Sequence, residues 1–200
     1  REHFSRASSF FNHRLKFGSK VSPDDFLQKN AENLCYGPLL AELKKADFKV
    51  TALDYHGPDW VERFLGYLGF ARREIPAFEH RLVAFSPKTT IAKMAINRIA
   101  RSERQNRRLT HAFRDLPGSY RSSGFIFSRD AAAKAEPLFA VDRRLIAKEL
   151  GIDLVPPDLN QVNNSLFITT EEFREIQALA EGFGTRAREI ADFASQFVRT

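Results

Sequence analysis

The chain has 200 residues, of which 43% are hydrophobic and 28% are charged, so it is neither disordered nor collagen-like. No apolar run approaches the roughly 18 residues that a membrane span requires. The single cysteine, Cys35, excludes an intrachain disulfide framework and a zinc site built on cysteine pairs. The 31 Lys and Arg residues outnumber the 25 Asp and Glu residues, which favours an anionic partner: a nucleotide, a sulfated or acidic glycan, nucleic acid or a membrane surface.

The chain begins Arg1-Glu2-His3-Phe4, with neither an initiator methionine nor the pattern of a signal peptide. Either the start of the chain was processed or, as we expect, the chain is a fragment of a longer protein. The lone cysteine fits the reducing cytoplasm, which is the predicted location; a secreted protein without disulfides is the alternative.

Helical periodicity predicts a first helix over residues 5–17, with an apolar stripe on one side and polar residues on the other. The stripe consists of Phe4, Ala7, Phe11 and Leu15, and the polar side of Ser5, Ser9, Asn12 and Lys16. Ser22 and Pro23 predict the N-cap and first turn of a second helix. A third helix is predicted to start at Gly37-Pro38.

Residues 48–55 alternate between apolar and polar side chains and end in the turn signal His56-Gly57-Pro58, which predicts a β-strand. Helical patterns flank this strand, the second of them running to Gly69. The predicted fold class is therefore α/β and helix-rich, with a small, incomplete parallel sheet.

The second half of the chain reads as helices. One long helix is predicted over residues 87–108, with Ile91, Met94, Ala95 and Ile99 on its buried face. A break at 116–124 precedes a helix over 128–150, which Gly151 ends. Thr169 and Glu172 form a capping box for the next helix. The last helix carries one apolar seam, made of Ala187, Ile190, Ala191, Ala194 and Phe197.

Common catalytic and metal-binding motifs are missing from the sequence. It has no Walker-type loop, GxGxxG or GxSxG, and its five histidines show no metal-ligand spacing, so we expect no metal site. Cys35 has no histidine nearby in the sequence to lower its pKa, and we interpret it as a buried small hydrophobic residue.

Arg1 and Ser9 are candidate phosphate ligands. An arginine before a helix N-terminus and a hydroxyl on the polar face of that helix suit a phosphate monoester. The alternative is an ordinary solvated helix face.

The segment Arg1-x7-Ser9-Phe10-Phe11 resembles the 3′-phosphate-binding segment of sulfotransferases that use 3′-phosphoadenosine 5′-phosphosulfate (PAPS). Further segments, in matching order over about residues 1–155, resemble other parts of this family, and the last two of them resemble its bacterial carbohydrate-sulfotransferase members. They are Ser22–Leu27, Val50–Tyr55, Phe64–Gly69, Phe85–Arg98 and Phe127–Ala147. Two departures stand out: the family's Pro and Asp between the Arg and the Ser are absent, and its usual Tyr-Glu reads Tyr55-His56.

This resemblance implies a partial P-loop-like sulfotransferase fold over residues 1–155, with 156–200 as a helical C-terminal extension. It implies Arg1 and Ser9 as ligands of PAPS, the sulfuryl donor, and a saccharide hydroxyl as acceptor. The family's phosphosulfate loop and catalytic base would lie upstream of Arg1. We therefore expect this chain alone to be inactive, and no metal to be needed.

A second hypothesis is a non-catalytic module that binds a polyanion or nucleic acid. Lys93, Asn97, Arg101, Arg104 and Arg108 fall within roughly 80° on the predicted long helix, at 100° per residue. Of these, Lys93, Arg101, Arg104 and Arg108 are predicted to be exposed on one face and are the candidate anion ligands; a solvated helix face is the alternative. Nucleic acid is the less favoured partner because no helix-turn-helix, zinc or single-strand-binding signature occurs. A third hypothesis is an interaction domain whose Ala- and Phe-rich terminal helices pack on a partner.

Overall fold

A computed structural model of the chain describes residues 2–52, 60–70, 85–114, 125–160 and 166–199. Regular structure in these ranges consists of α-helices and a 3₁₀ turn, Gly184–Arg186. The α-helices are α1 (His3–Lys16), α2 (Pro23–Leu34), α3 (Gly37–Lys45), α4 (Trp60–Tyr67), α5 (Pro87–Ile99), α6 (Glu103–Arg114), α7 (Arg129–Leu150), α8 (Thr170–Glu181) and α9 (Ala187–Ser195).

No β-strand occurs among the described residues, so the predicted α/β class and the partial sulfotransferase fold with a parallel sheet are wrong. An isolated parallel bridge between Ile168 and Val198 is the nearest feature to a sheet in this part of the chain. Of the predicted strand 48–55, residues 48–52 have no regular structure. Residues 53–55 and the turn signal after them lie outside the described residues.

The strand prediction fails because the first residue of the predicted strand takes part in the hydrogen bonds that end α3. Asp47 has a left-handed backbone, with φ of 59°. The Phe48 N–H donates to the carbonyl of Leu43 at 2.9 Å, and the Asp47 N–H to that of Lys44 at 3.0 Å. This pair of hydrogen bonds is a Schellman motif, which satisfies the last carbonyls of a helix. The Phe48 N–H is therefore used for ending α3 rather than for pairing with a strand.

Several predicted helix ends are confirmed. The Ser22 hydroxyl accepts the N–H of Asp25 at the start of α2, and Thr169 and Glu172 form the capping box of α8. Gly151 ends α7 with φ of 67°, a left-handed conformation that glycine adopts without strain. The predicted break at 116–124 lies outside the described residues.

The predicted long helix over 87–108 is wrong, because the chain bends between Ile99 and Glu103. Ala100 has an extended conformation, with ψ of 124°. Ser102 then accepts the N–H of Gln105 and starts α6. The Ser102-x-x-Gln105 spacing is typical of an N-cap, which explains why a second helix begins here.

One hydrophobic core joins the N- and C-terminal helices. The predicted stripe of α1, Phe4, Ala7, Phe11 and Leu15, is buried in it. Ile91, Met94 and Ala95 of α5 are buried as predicted, whereas Ile99 is only half-buried, and α8 and α9 pack against α5. Asn12, predicted on the polar side of α1, is also buried. Within the described residues, no helix has both the length and the apolar character to span a membrane.

Candidate anion-binding cleft

A cleft of about 510 Å³ lies where the end of α1 meets the bend between α5 and α6. We call it the basic cleft. Its lining consists of Lys16, Phe17, Gly18, Lys20, Asn97, Ala100, Arg101, Ser102, Glu103, Asn106 and Arg107. Gly18, with φ of 91°, forms the turn after α1 that brings Lys20 to the cleft.

The cleft is positively charged. Lys16, Lys20, Arg101 and Arg107 are exposed side chains in its lining. Glu103 is the carboxylate of that lining, and it forms an ion pair with Arg107, one helical turn along α6. Positive charge therefore exceeds negative charge at the cleft surface, which attracts anions.

The inner wall of the cleft is a hydrogen-bonded pair of amides. Asn97 is 1% exposed, and its Nδ2 donates to the carbonyls of Leu15 at 2.9 Å and Ser19 at 2.8 Å. Its Oδ1 accepts from Asn106 Nδ2 at 2.6 Å. These bonds hold α5 and α6 in place against the end of α1, so the basic side chains of the cleft extend from helices with fixed relative positions.

The structure separates the candidate anion ligands that the sequence placed on one helix face. Arg101 lines the cleft, whereas Arg104 is exposed on α6 but does not line it. The side chain of Arg108 lies outside the described residues. Lys93, predicted to be exposed, is 2% exposed, and that prediction is wrong. The reason is the bend at Ala100, which folds α6 back over the face of α5 that carries Lys93.

Lys93 contacts oxygen atoms of α6 in its buried position. Its ammonium group donates to Asn106 Oδ1 and to Thr110 Oγ1, the latter at 2.7 Å. Burial lowers the pKa of Lys93 to about 8, because the charged form loses its hydration.

Ser9, one of the two candidate PAPS ligands, does not line the cleft. Ser9 is exposed on α1, seven residues before Lys16 and thus about 10 Å away along the helix axis. Arg1 lies outside the described residues, so the predicted pairing of Arg1 with Ser9 stays a prediction.

Sequence reasoning missed Lys16, Lys20 and Arg107 as cleft residues. Lys16 and Lys20 flank Gly18, and this basic-glycine-basic spacing around a helix end was the available signal. Nothing in the sequence pairs this turn with residues 101–107, because tertiary packing alone brings them together.

A second polar group, buried, joins α1, α3 and α7; we call it the His3–Asp142 pair. The Asp142 carboxylate accepts the main-chain N–H groups of Tyr36 and Gly37, each at 2.7 Å, at the start of α3. His3 Nε2 lies 2.7 Å from Asp142 Oδ2. Although burial alone would raise it, these hydrogen bonds lower the pKa of Asp142. Burial lowers the pKa of His3, so the ring is neutral beside an ionised carboxylate.

Cys35 lies beside the His3–Asp142 pair, so a histidine that is distant in sequence is close in space. Within the described residues, donor atoms of His3, Cys35 and Asp142 lie within 4.8 Å of one another. Two ligands of one tetrahedral zinc ion stand about 3.3 Å apart, so the 2.7 Å contact fits a hydrogen bond better than shared ligation. Burial also raises the pKa of the Cys35 thiol to about 11, which disfavours the thiolate that metals bind.

Comparison with protein-family models, curated proteins and solved structures finds no match to this chain. The resemblance to sulfotransferases therefore depends on the sequence segments quoted above. The function has to be inferred from the geometry and charge of the chain's own residues.

Proposed function

We propose that this protein binds a ligand that carries sulfate or phosphate groups in the basic cleft. The observation that supports this most is the convergence of Lys16, Lys20, Arg101 and Arg107 on one cleft. These residues come from the end of α1, the following turn, the α5–α6 bend and α6. Among the described residues of the lining, Glu103 is the one acidic side chain, and it forms an ion pair with Arg107.

The chemistry of these side chains suits tetrahedral oxyanions. The planar fork of an arginine matches two oxygens of a sulfate or phosphate, and lysine adds a mobile point charge. The first turn of α6 also lines the cleft, and main-chain N–H groups at a helix start favour negative charge. A volume of about 510 Å³ is typical of small-ligand sites, so we expect a small anion or a short stretch of a polyanion.

Isothermal titration calorimetry with a heparin-derived tetrasaccharide, in a buffer that contains about 0.1 M salt, tests the proposal. Arg101→Ala and Lys20→Ala should each weaken binding by about fivefold, since partly exposed ionic contacts contribute roughly 1 kcal/mol. Arg104→Ala is the matched control, because it removes the same charge from α6 outside the cleft. An equal loss with Arg104→Ala would mean that overall charge, rather than the cleft, attracts the ligand.

A second candidate function is that of a PAPS-dependent sulfotransferase fragment. The exposure of Ser9 favours it, since the hydroxyl that the resemblance assigns to the 3′-phosphate is open to a ligand. In this proposal Arg1 and Ser9 hold the nucleotide, and a saccharide hydroxyl accepts the sulfuryl group. PAPS would supply the sulfuryl group when bound, and Arg1 and Ser9 would only hold the nucleotide in position.

Thermal unfolding with 3′,5′-ADP separates the two candidates. Stabilisation that Ser9→Ala abolishes and Arg101→Ala leaves intact would support the sulfotransferase proposal. Stabilisation lost in Arg101→Ala but kept in Ser9→Ala would support the basic cleft. No stabilisation of the unmodified protein would contradict nucleotide binding altogether.

We also propose a cytoplasmic location. The sequence supports it through its single cysteine, Cys35, which needs no oxidising compartment.

A further inference from the structure

Lys93 is a buried lysine without a carboxylate partner among the described residues. It is 2% exposed, and its ammonium group contacts only the side-chain oxygens of Asn106 and Thr110 in this part of the chain. Lysine is almost never fully buried unless it is paired with a carboxylate. Lys88, one helical turn or so earlier in α5, follows that rule, because it is 4% exposed and forms an ion pair with Glu175.

The Lys93 ammonium lies directly behind the wall of the basic cleft. Asn106 lines the cleft and accepts from Lys93 through Oδ1, while its Nδ2 donates to Asn97 Oδ1. A Cβ atom built on Gly18 would lie 3.9 Å from Asn106 Nδ2, so this amide borders the turn between Lys16 and Lys20. A single side-chain amide thus separates the buried charge from the cleft.

We infer that Lys93 is a positioning residue of the basic cleft, whose buried ammonium group strengthens anion binding through the Asn106 amide. This inference depends on the proposed anion binding. The Lys93 ammonium group donates to Asn106 Oδ1 and thereby fixes the orientation of that amide. Its buried positive charge, which salt screens poorly, adds to the attraction that the exposed cations exert on an anion. Two consequences follow. The Asn106 amide keeps its N–H side towards Asn97, and a bound anion is attracted by one more positive charge than the exposed side chains of the cleft provide.

This arrangement makes anion binding depend on pH near the pKa of Lys93, about 8. Below that pH the group is charged and attracts the anion; above it the group is neutral and the attraction is lost. The charged groups in the cleft lining are Lys16 at the end of α1, Lys20 after it, Arg101 at the bend, and Glu103 and Arg107 on α6, which also carries the exposed His111. On the far sides of α5, Glu175 of α8 is held by Lys88, and Arg186 before α9 by the carbonyl of Ile99.

Calorimetric titration of the heparin-derived tetrasaccharide at pH 7 and pH 9 tests the inference. The unmodified protein should bind about fivefold more weakly at pH 9, whereas Lys93→Met should bind equally at both values, at the weaker level. Methionine matches the length of lysine without its charge, and circular dichroism confirms that the variant is folded. Binding by Lys93→Met with the full affinity and pH dependence of the unmodified protein would overturn the inference and leave the basic cleft standing. Failure of the unmodified protein to bind would overturn both proposals.

A second measurement on the unmodified protein covers the case in which Lys93→Met does not fold. The side-chain resonances of Lys93 report its titration by NMR, and saturating tetrasaccharide should shift its titration midpoint to higher pH. An unchanged midpoint in a protein that binds the ligand would overturn the inference.

Discussion

His3 Nε2 lies 2.7 Å from Asp142 Oδ2, and this contact joins the first turn of α1 to the middle of α7. The histidine ring also stacks on Phe139, one turn earlier in α7, with ring centroids 4.8 Å apart. The same carboxylate caps α3 through Tyr36 and Gly37. One buried acid therefore determines how three helices meet.

Replacing Asp142 by asparagine should lower the free energy of unfolding by about 2–4 kcal/mol, measured by urea denaturation. The carboxylate only accepts hydrogen bonds, whereas an asparagine amide would turn an N–H group towards a buried N–H donor. Asp153→Asn, at an exposed position after α7, is the control and should change stability by no more than about 0.5 kcal/mol. Equal effects of the two substitutions would contradict the role assigned to Asp142.

The stability of the protein should fall as the pH drops from 7 to 5.5. Burial holds the pKa of His3 below its ordinary value of 6.5, so below that pH the unfolded chain binds a proton that the native protein rejects. The free energy of unfolding then decreases by up to about 1.4 kcal/mol per pH unit. The lowered pKa of Asp142 has no effect in this window, since its contribution is lost only at more acidic pH.

Urea denaturation of His3→Gln across the same pH range isolates this effect. The variant should be less stable at pH 7 because its contacts with Asp142 and Phe139 are altered, but its stability should depend less on pH. His13 and His111 are exposed and unchanged in both proteins, so they do not affect the difference. Parallel pH profiles would show that His3 is not the titrating group.

Two neighbouring threonines of α5 should respond to valine in opposite directions. Thr90 is fully buried and its hydroxyl has no hydrogen-bond partner among the described residues, so Thr90→Val should raise the free energy of unfolding by up to about 1 kcal/mol. The Thr89 hydroxyl lies 3.0 Å from that of Ser86 and forms a hydrogen bond with it. Thr89→Val should therefore lower the free energy of unfolding by about 1 kcal/mol. Destabilisation by Thr90→Val as large as that by Thr89→Val would contradict the assigned hydrogen bonding.

Two helical glycines should also respond differently to alanine. A Cβ on Gly37 would lie 2.7 Å from Asp142 Oδ1 and 2.8 Å from Leu145 Cδ2, so Gly37→Ala should cost about 1–3 kcal/mol. A Cβ on Gly66 of α4 would lie more than 4 Å from the described residues outside that helix, and Gly66→Ala should raise the free energy of unfolding by about 0.4–1 kcal/mol. Thermal unfolding of both variants checks this pair, and a tolerated Gly37→Ala would show that α3 and α7 are not in close contact.

Local patterns predicted much of the helical structure. The caps at Ser22 and Thr169, the end at Gly151 and the buried stripe of α1 all agree with the structure. The alternation over 48–55 predicted a strand wrongly, because backbone hydrogen bonds at Asp47 and Phe48 that end α3 are invisible in an alternation pattern. The bend at Ala100 carried a signal in Ser102-x-x-Gln105, which the continuous helical periodicity on both sides obscured.

The site was harder to predict than the helices. Arg101 was identified from its spacing, but Lys93 was assigned to the same exposed stripe and is buried. Helical spacing places residues on a face of their own helix, and it does not state what covers that face. Lys16 and Lys20 belong to the cleft only because α6 packs beside the end of α1.

The excess of basic residues and the start and end of most helices follow from the local sequence, since caps and turns depend on interactions within a few residues. Long-range packing places α6 against α5, buries Lys93 behind Asn106, and brings His3 to Asp142, 139 residues away. Such contacts depend on the packing of whole helix faces, whose free energy is shared among residues from many parts of the chain.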